Sequence, residues 1–131
     1  MDEIFIPIKD EQEVKLMNPL VWAYVGDCVY ELYIRTFLVN TTKMKVHELH
    51  VKASTYVKAS NQANLLKIIE DDLTDGEKDI ARRARNTQNH HLPKNANPAD
   101  YMYATAFEGL IGYLYLTKNY KRIKEILQKC L

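Results

Sequence analysis

Two stretches of this chain constrain its fold more than any other feature. Residues 19–38 and 98–117 are each opened by Asn-Pro, and each then stays apolar around most of a helical circumference. Asn18 and Asn97 suit the capping of free backbone donors, and Pro19 and Pro98 fit a first helical turn, where a missing N–H leaves nothing unpaired. A helix that is apolar on nearly every side must be covered on nearly every side, so both are expected at the centre of an all-α helical bundle.

The remaining elements follow from weaker periodicity. Residues 43–60 carry a stripe of Val46, Leu49, Ala53, Tyr56 and Val57, which predicts a second helix. Residues 61–71, with Leu65, Leu66, Ile68 and Ile69, predict a short third. Thr74-Asp75-Gly76-Glu77 has the form of a capping box, in which Thr and Glu side chains satisfy each other's free N–H groups. It opens a fourth helix to about Arg85. Residues 86–97 read as a polar loop containing Pro93, and an amphipathic helix runs from Asn119 to the end. Period-two alternation is scarce, so strands are not expected. Four glycines and four prolines in 131 residues favour long elements and few turns. That length fits one domain, taken as 1–131.

Charge and cysteines narrow the function classes. A formal net charge of +1 excludes a polycation, so any grip on a polyanion must come from local clusters of Lys and Arg. Cys28 and Cys130 have neither metal-ligand nor redox-motif spacing. Cys28, within an apolar run, is expected to be a small core residue, and the simplest compartment is a reducing cytoplasm. The acids Asp2, Glu3 and Asp10 at the start do not form a secretory signal. Asp27, Glu31 and Arg35 interrupt one apolar stretch and Glu108 the other, so neither reads as a membrane span.

Those interruptions are the most informative residues. Asp27 and Glu108 each place a carboxylate inside an otherwise apolar helix, where a lone buried charge is costly without a cation or donors. Small residues surround both: Ala23 and Gly26 near Asp27, and Ala104, Gly109 and Gly112 near Glu108. Small residues three or four positions away let helix backbones approach closely. Interior glycine costs about 1 kcal/mol against alanine, so it calls for a reason. Two oxygen donors from facing helices suit a hard cation such as Mg²⁺. The competing reading is a pair of buried ion pairs, Asp27 with Arg35 or a Lys and Glu108 with an Arg of the fourth helix.

At these residues the chain resembles the ribonuclease III family, and specifically its short branch with the catalytic domain alone. The resemblance is carried by Tyr24-Val25-Gly26-Asp27-Cys28-Val29-Tyr30-Glu31, by Ala81-Arg82-Arg83-Ala84-Arg85-Asn86, by Pro93-Lys94-Asn95-Ala96, and by Thr105-Ala106-Phe107-Glu108-Gly109-Leu110-Ile111-Gly112-Tyr113-Leu114-Tyr115. It implies an all-α ribonuclease III-like endonuclease domain that works as a homodimer. Such a domain cuts double-stranded RNA with Mg²⁺, or Mn²⁺ as a substitute, and leaves 5′ phosphates and 3′ hydroxyls. Asp27 stands at the family's signature catalytic acid and Glu108 at the second essential acid, both as metal ligands. The short branch is associated with maturation of large-subunit ribosomal RNA precursors in bacteria.

Departures from the wider family matter. Full-length members carry further acids one turn before each of these, where this chain has Ala23 and Thr105. The short branch shares such losses. The Thr105 hydroxyl is a candidate to hold a metal-bound water. No separate double-stranded-RNA-binding domain is expected, so the catalytic domain must supply its own phosphate contacts. Candidates are Arg82, Arg83, Arg85, Asn86, Lys94 and Asn95, with Gln88 and Asn89 in the same loop. Binding through them should weaken steeply with salt. Lys45, Lys52 and Lys58 are weaker candidates, usually solvent-facing. His47-Glu48-Leu49-His50 lacks the spacing of a zinc-protease motif, and His90-His91 suits polar loop contact better than chelation. The alternative to an enzyme is a non-catalytic RNA-binding or ribosome-assembly module on the same fold, favoured by the missing acids.

Overall fold

The structure, a computed structural model, describes residues 10–87 and 94–131. Gln88, Asn89, the His90-His91 pair and Pro93 lie outside the described residues, as does the start of the chain through Lys9. Seven helices make up the described part: α1 (Glu11–Lys15), α2 (Pro19–Thr41), α3 (Val46–Tyr56), α4 (Ala59–Ile69), α5 (Asp75–Asn86), α6 (Pro98–Leu116) and α7 (Tyr120–Cys130), with a 3₁₀ turn at Glu70–Asp72 after α4. No strand occurs among the described residues.

Helix starts behave as their sequences dictate. The Asn18 side chain accepts from the Leu20 N–H at 2.9 Å, and Asn97 accepts from those of Ala99 and Asp100. Thr74 and Glu77 form the reciprocal capping box, at 2.9 and 3.1 Å. Two boundaries differ from expectation. The chain between Thr41 and Val46 is not helical, and α3 ends at Tyr56, with Ser60 already in α4. The break is held by side chains: Asn61 Nδ2 donates to the Tyr56 carbonyl and Gln62 Nε2 to that of Val57. These bonds replace helical ones at the turn, which an apolar stripe running through it does not reveal. Helix α1 is five residues long, too short to show periodicity. It is fixed from outside its own sequence, by Trp22 Nε1 donating to the Val14 carbonyl at 2.8 Å in the core.

Helix α6 is the centre. Residues 104–107 and 109–114 of it are buried, and α2, α4 and α5 all pack on it. Edge-on aromatic pairs, Trp22 with Tyr113 and Tyr30 with Phe107, lock α2 to α6. Helix α2 is less central than its composition predicts. Trp22, Tyr30, Ile34 and Leu38 are buried, but Val21, Tyr24, Leu32 and Val39 are exposed on its other face. Cys28 is also exposed, a correction to its expected place in the core. The cause is the same for both: α6 covers only one side of α2, and nothing else in the described chain covers the other. No helix among the described residues is long and apolar enough to cross a membrane.

Candidate active site

The site begins with two glycines. A Cβ on Gly26 would lie 1.8 Å from the Glu108 carbonyl oxygen, and one on Gly112 would lie 1.7 Å from that of Trp22. The α2 and α6 backbones therefore touch where any side chain would separate them. Gly109 serves another contact, since its Cβ would meet that of Ala84 on α5 at 2.5 Å. With α2 and α6 in direct backbone contact, Asp27 and Glu108 are drawn together. Their carboxyls come within hydrogen-bonding reach of one another.

The two acids differ in setting. Asp27 is exposed, whereas Glu108 is mostly shielded. Burial, then the hydrogen bond and negative charge of Asp27, push the Glu108 carboxyl up to about 8, against a weaker opposing bond from Gln62. Neither acid has a cationic partner among the described residues. Arg35 pairs with Glu31 at 3.0 Å, Arg82 pairs with Asp79, and Arg122 pairs with Glu77 and Glu125. Of the cations that the ion-pair reading named, Arg35 and Arg82 are taken by other acids, and Arg83 and Arg85 are held by a carbonyl, an amide and aromatic rings instead.

Gln62 is the residue that sequence reasoning missed. It is 2% exposed, and its Oε1 is buried without a hydrogen-bond partner among the described residues. A signal existed: Gln62 stands one and two turns before Leu66 and Ile69, both on the buried face of α4. Thr105 is also buried, and its hydroxyl donates to the Tyr101 carbonyl at 2.9 Å, so only its acceptor capacity is left for a water.

The basic cluster is divided. Arg82 is exposed, and Asn86, Lys94 and Asn95 are exposed as well. Asn95 has a φ of 69°, a left-handed conformation that asparagine tolerates. The Arg85 guanidinium lies 5.9 Å over the Tyr103 ring and donates to Asn86 Oδ1 at 3.1 Å. Arg83 is turned inward, donating to the Lys15 carbonyl at 2.9 Å and stacking 4.9 Å over Trp22. Those contacts tie α5 to α1 and α2. Lys45, Lys52, Lys58, His47 and His50 all face solvent, and Glu48 is occupied in accepting from the Lys45 N–H.

An all-helical domain whose two packed helices converge on one carboxyl pair has the architecture of a ribonuclease III domain, and a family model of that description matches residues 20–119. The X-ray crystal structure of a protein from Fusobacterium nucleatum superposes with a TM-score of 0.79 at 30% identity, covering 88% of this chain and 93% of that one. Mini-ribonuclease 3 from Thermoanaerobacter sp. (strain X514) is 46% identical over 90% of this chain and 83% of its own length. Mini-ribonuclease 3 from Staphylococcus aureus is 38% identical over 92% of each. The chain belongs to the ribonuclease III family, in its Mini-ribonuclease III branch.

Proposed function

We propose that this protein is an endoribonuclease that hydrolyses double-stranded RNA with Mg²⁺, or Mn²⁺ in its place, held by Asp27 and Glu108. The observation that carries the reading is the convergence of these two carboxyls at a glycine-mediated helix contact with no salt-bridge partner among the described residues. Two carboxyls that repel one another when ionised, one of them open to solvent, fit a divalent ion that keeps waters and substrate phosphate as its other ligands. When bound, the ion supplies Lewis-acid stabilisation of charge on the phosphodiester and a water that ionises near neutral pH. Asp27 is the exposed member of the pair and so the one a phosphate-bound ion can reach first. Glu108 is sheltered and fixed by the backbone contact beside it. Water adds to phosphorus, the bond to the 3′ oxygen breaks, and the products are a 5′ phosphate and a 3′ hydroxyl.

The domain makes its own phosphate contacts, with Arg82, Arg85, Asn86, Lys94 and Asn95 as the accessible members of the basic cluster and Arg83 a structural anchor beside them. Arg85 and Glu108 meet the same helix, because Tyr103 under Arg85 precedes Glu108 by roughly 7–8 Å of helix axis. Partners are a second copy of the chain and, by the association of the branch, a large-subunit ribosomal RNA precursor. Cys28 and Cys130 are both free thiols.

Cleavage of a long RNA duplex, with Mg²⁺ and with a chelator, tests the reading. Asp27→Asn and Glu108→Gln should each reduce cleavage about a hundredfold or more while leaving duplex binding intact, since metal stabilisation is worth several kcal/mol and about 1.4 kcal/mol is tenfold in rate. Wild-type cleavage by either variant, or full activity in chelator, contradicts it.

A further inference from the structure

Gln62 is used by nothing in the fold as fully as its chemistry permits. Its amide carries two N–H donors and one acceptor oxygen. One donor satisfies the Val57 carbonyl at 3.1 Å, pinning the turn between α3 and α4. That turn is already pinned next door, where Asn61 Nδ2 and the Tyr30 hydroxyl both reach the Tyr56 carbonyl, at 2.7 and 3.0 Å. The amide also lies near the Glu108 carboxyl, whose negative form it favours. Oε1 is left buried and unpartnered among the described residues. A buried acceptor without a partner is costly, and native proteins hold few of them. Methionine or leucine would fill the same space without that cost, so packing does not account for the amide.

We propose that Gln62 is a positioning residue for the acid pair: its amide orients the Glu108 carboxyl toward Asp27, and its buried, unpartnered Oε1 accepts a hydrogen bond from the hydration shell of the divalent ion when that ion enters. The inference rests on the metal reading of Asp27 and Glu108 given above. Mg²⁺ and Mn²⁺ sites that use few protein ligands retain waters, and those waters need acceptors at fixed positions. The amide is well suited to fix them. The Val57 carbonyl anchors it at 3.1 Å, and α4 packs directly against α6.

Mn²⁺ binding to the full chain without RNA, read from the loss of the free-ion electron paramagnetic resonance signal, tests this. Wild type should bind, and Asp27→Asn should abolish binding. If wild type shows no Asp27-dependent binding, the metal reading itself fails, which is distinguishable from failure of the role given to Gln62. Gln62→Met should stay folded, bind Mn²⁺ about tenfold or more weakly, and need proportionately more Mn²⁺ for cleavage. Asn61→Ala, which loosens the same turn, should lower Tm and leave Mn²⁺ affinity unchanged. Gln62→Asn, which keeps a buried amide but withdraws it from Glu108, should weaken binding as Gln62→Met does. Wild-type affinity in a folded Gln62→Met or Gln62→Asn overturns the proposal. So does failure of both to fold, which would assign Gln62 to the turn alone.

Discussion

At the scale of single residues, the glycines decide the geometry. Adding a methyl group to Gly26 or Gly112 puts a carbon inside the van der Waals radius of a backbone carbonyl, which no rotamer change relieves. Gly26→Ala should cost about 1–3 kcal/mol or more of stability by overpacking, and it should depress cleavage by parting Asp27 from Glu108. Gly76→Ala is the contrast. Its Cβ would come no nearer than 3.9 Å to Thr74 Oγ1, so it should stabilise α5 by about 0.5–1 kcal/mol through helix propensity. Thermal melts of the two variants check both signs, and a neutral Gly26→Ala contradicts the account of the contact. The two acids were legible in the sequence because each breaks an apolar helix that carries small neighbours. Gln62 was not, because an uncharged amide inside a short apolar stripe resembles a boundary residue until its burial is known. Cys28 misled for the opposite reason: its neighbours are apolar, but they belong to a face that one copy of the chain does not cover.

At the scale of elements, capping chemistry carried most of what could be read. The two Asn-Pro starts and the Thr74–Glu77 box set three helix beginnings correctly, since each satisfies backbone donors with a named side chain. The turn at Val57 escaped because its bonds come from residues downstream, which periodicity does not encode. Glu77 does more than cap. Arg122 of α7 grips both its oxygens, at 2.7 and 2.8 Å, and also reaches the Asp72 carbonyl. Burial alone would raise the Glu77 carboxyl, but its bonds from Arg122 and the Thr74 backbone outweigh that and hold it below the ordinary carboxylate range. A group whose folded pKa is depressed contributes stability that is complete above its unfolded pKa and lost as pH falls through the folded value. Arg122→Met should therefore lower stability by about 1.5–3 kcal/mol at neutral pH, and its deficit relative to wild type should shrink below the ordinary carboxylate range. Urea unfolding across that range measures it, and a deficit independent of pH contradicts the pairing.

At the scale of the whole molecule, the exposed face of α2 is the feature that one chain leaves unfinished. Tyr24 is 82% exposed, and an apolar groove continues from it past Val29 and Leu32 to Tyr115 and Ile123. A face of that kind on a structured helix suits burial against a second copy, which agrees with the homodimer proposed above. Sedimentation velocity should give a dimer for wild type and a monomer for Tyr24→Asp, and a monomeric wild type at micromolar concentration sinks the assignment. The all-α bundle with α6 inside it was legible from composition and patterning. That α2 lies at the flank was not, because an apolar face left exposed on one chain and a face packed in its core carry the same kinds of residue. The central claim, that Asp27 and Glu108 together hold one divalent ion, is tested most directly by a crystal of the protein grown with Mn²⁺ and an anomalous difference map at the manganese edge. A peak coordinated by both carboxyls is the predicted result, whereas carboxyls turned apart, each neutralised by its own Lys or Arg, would contradict it.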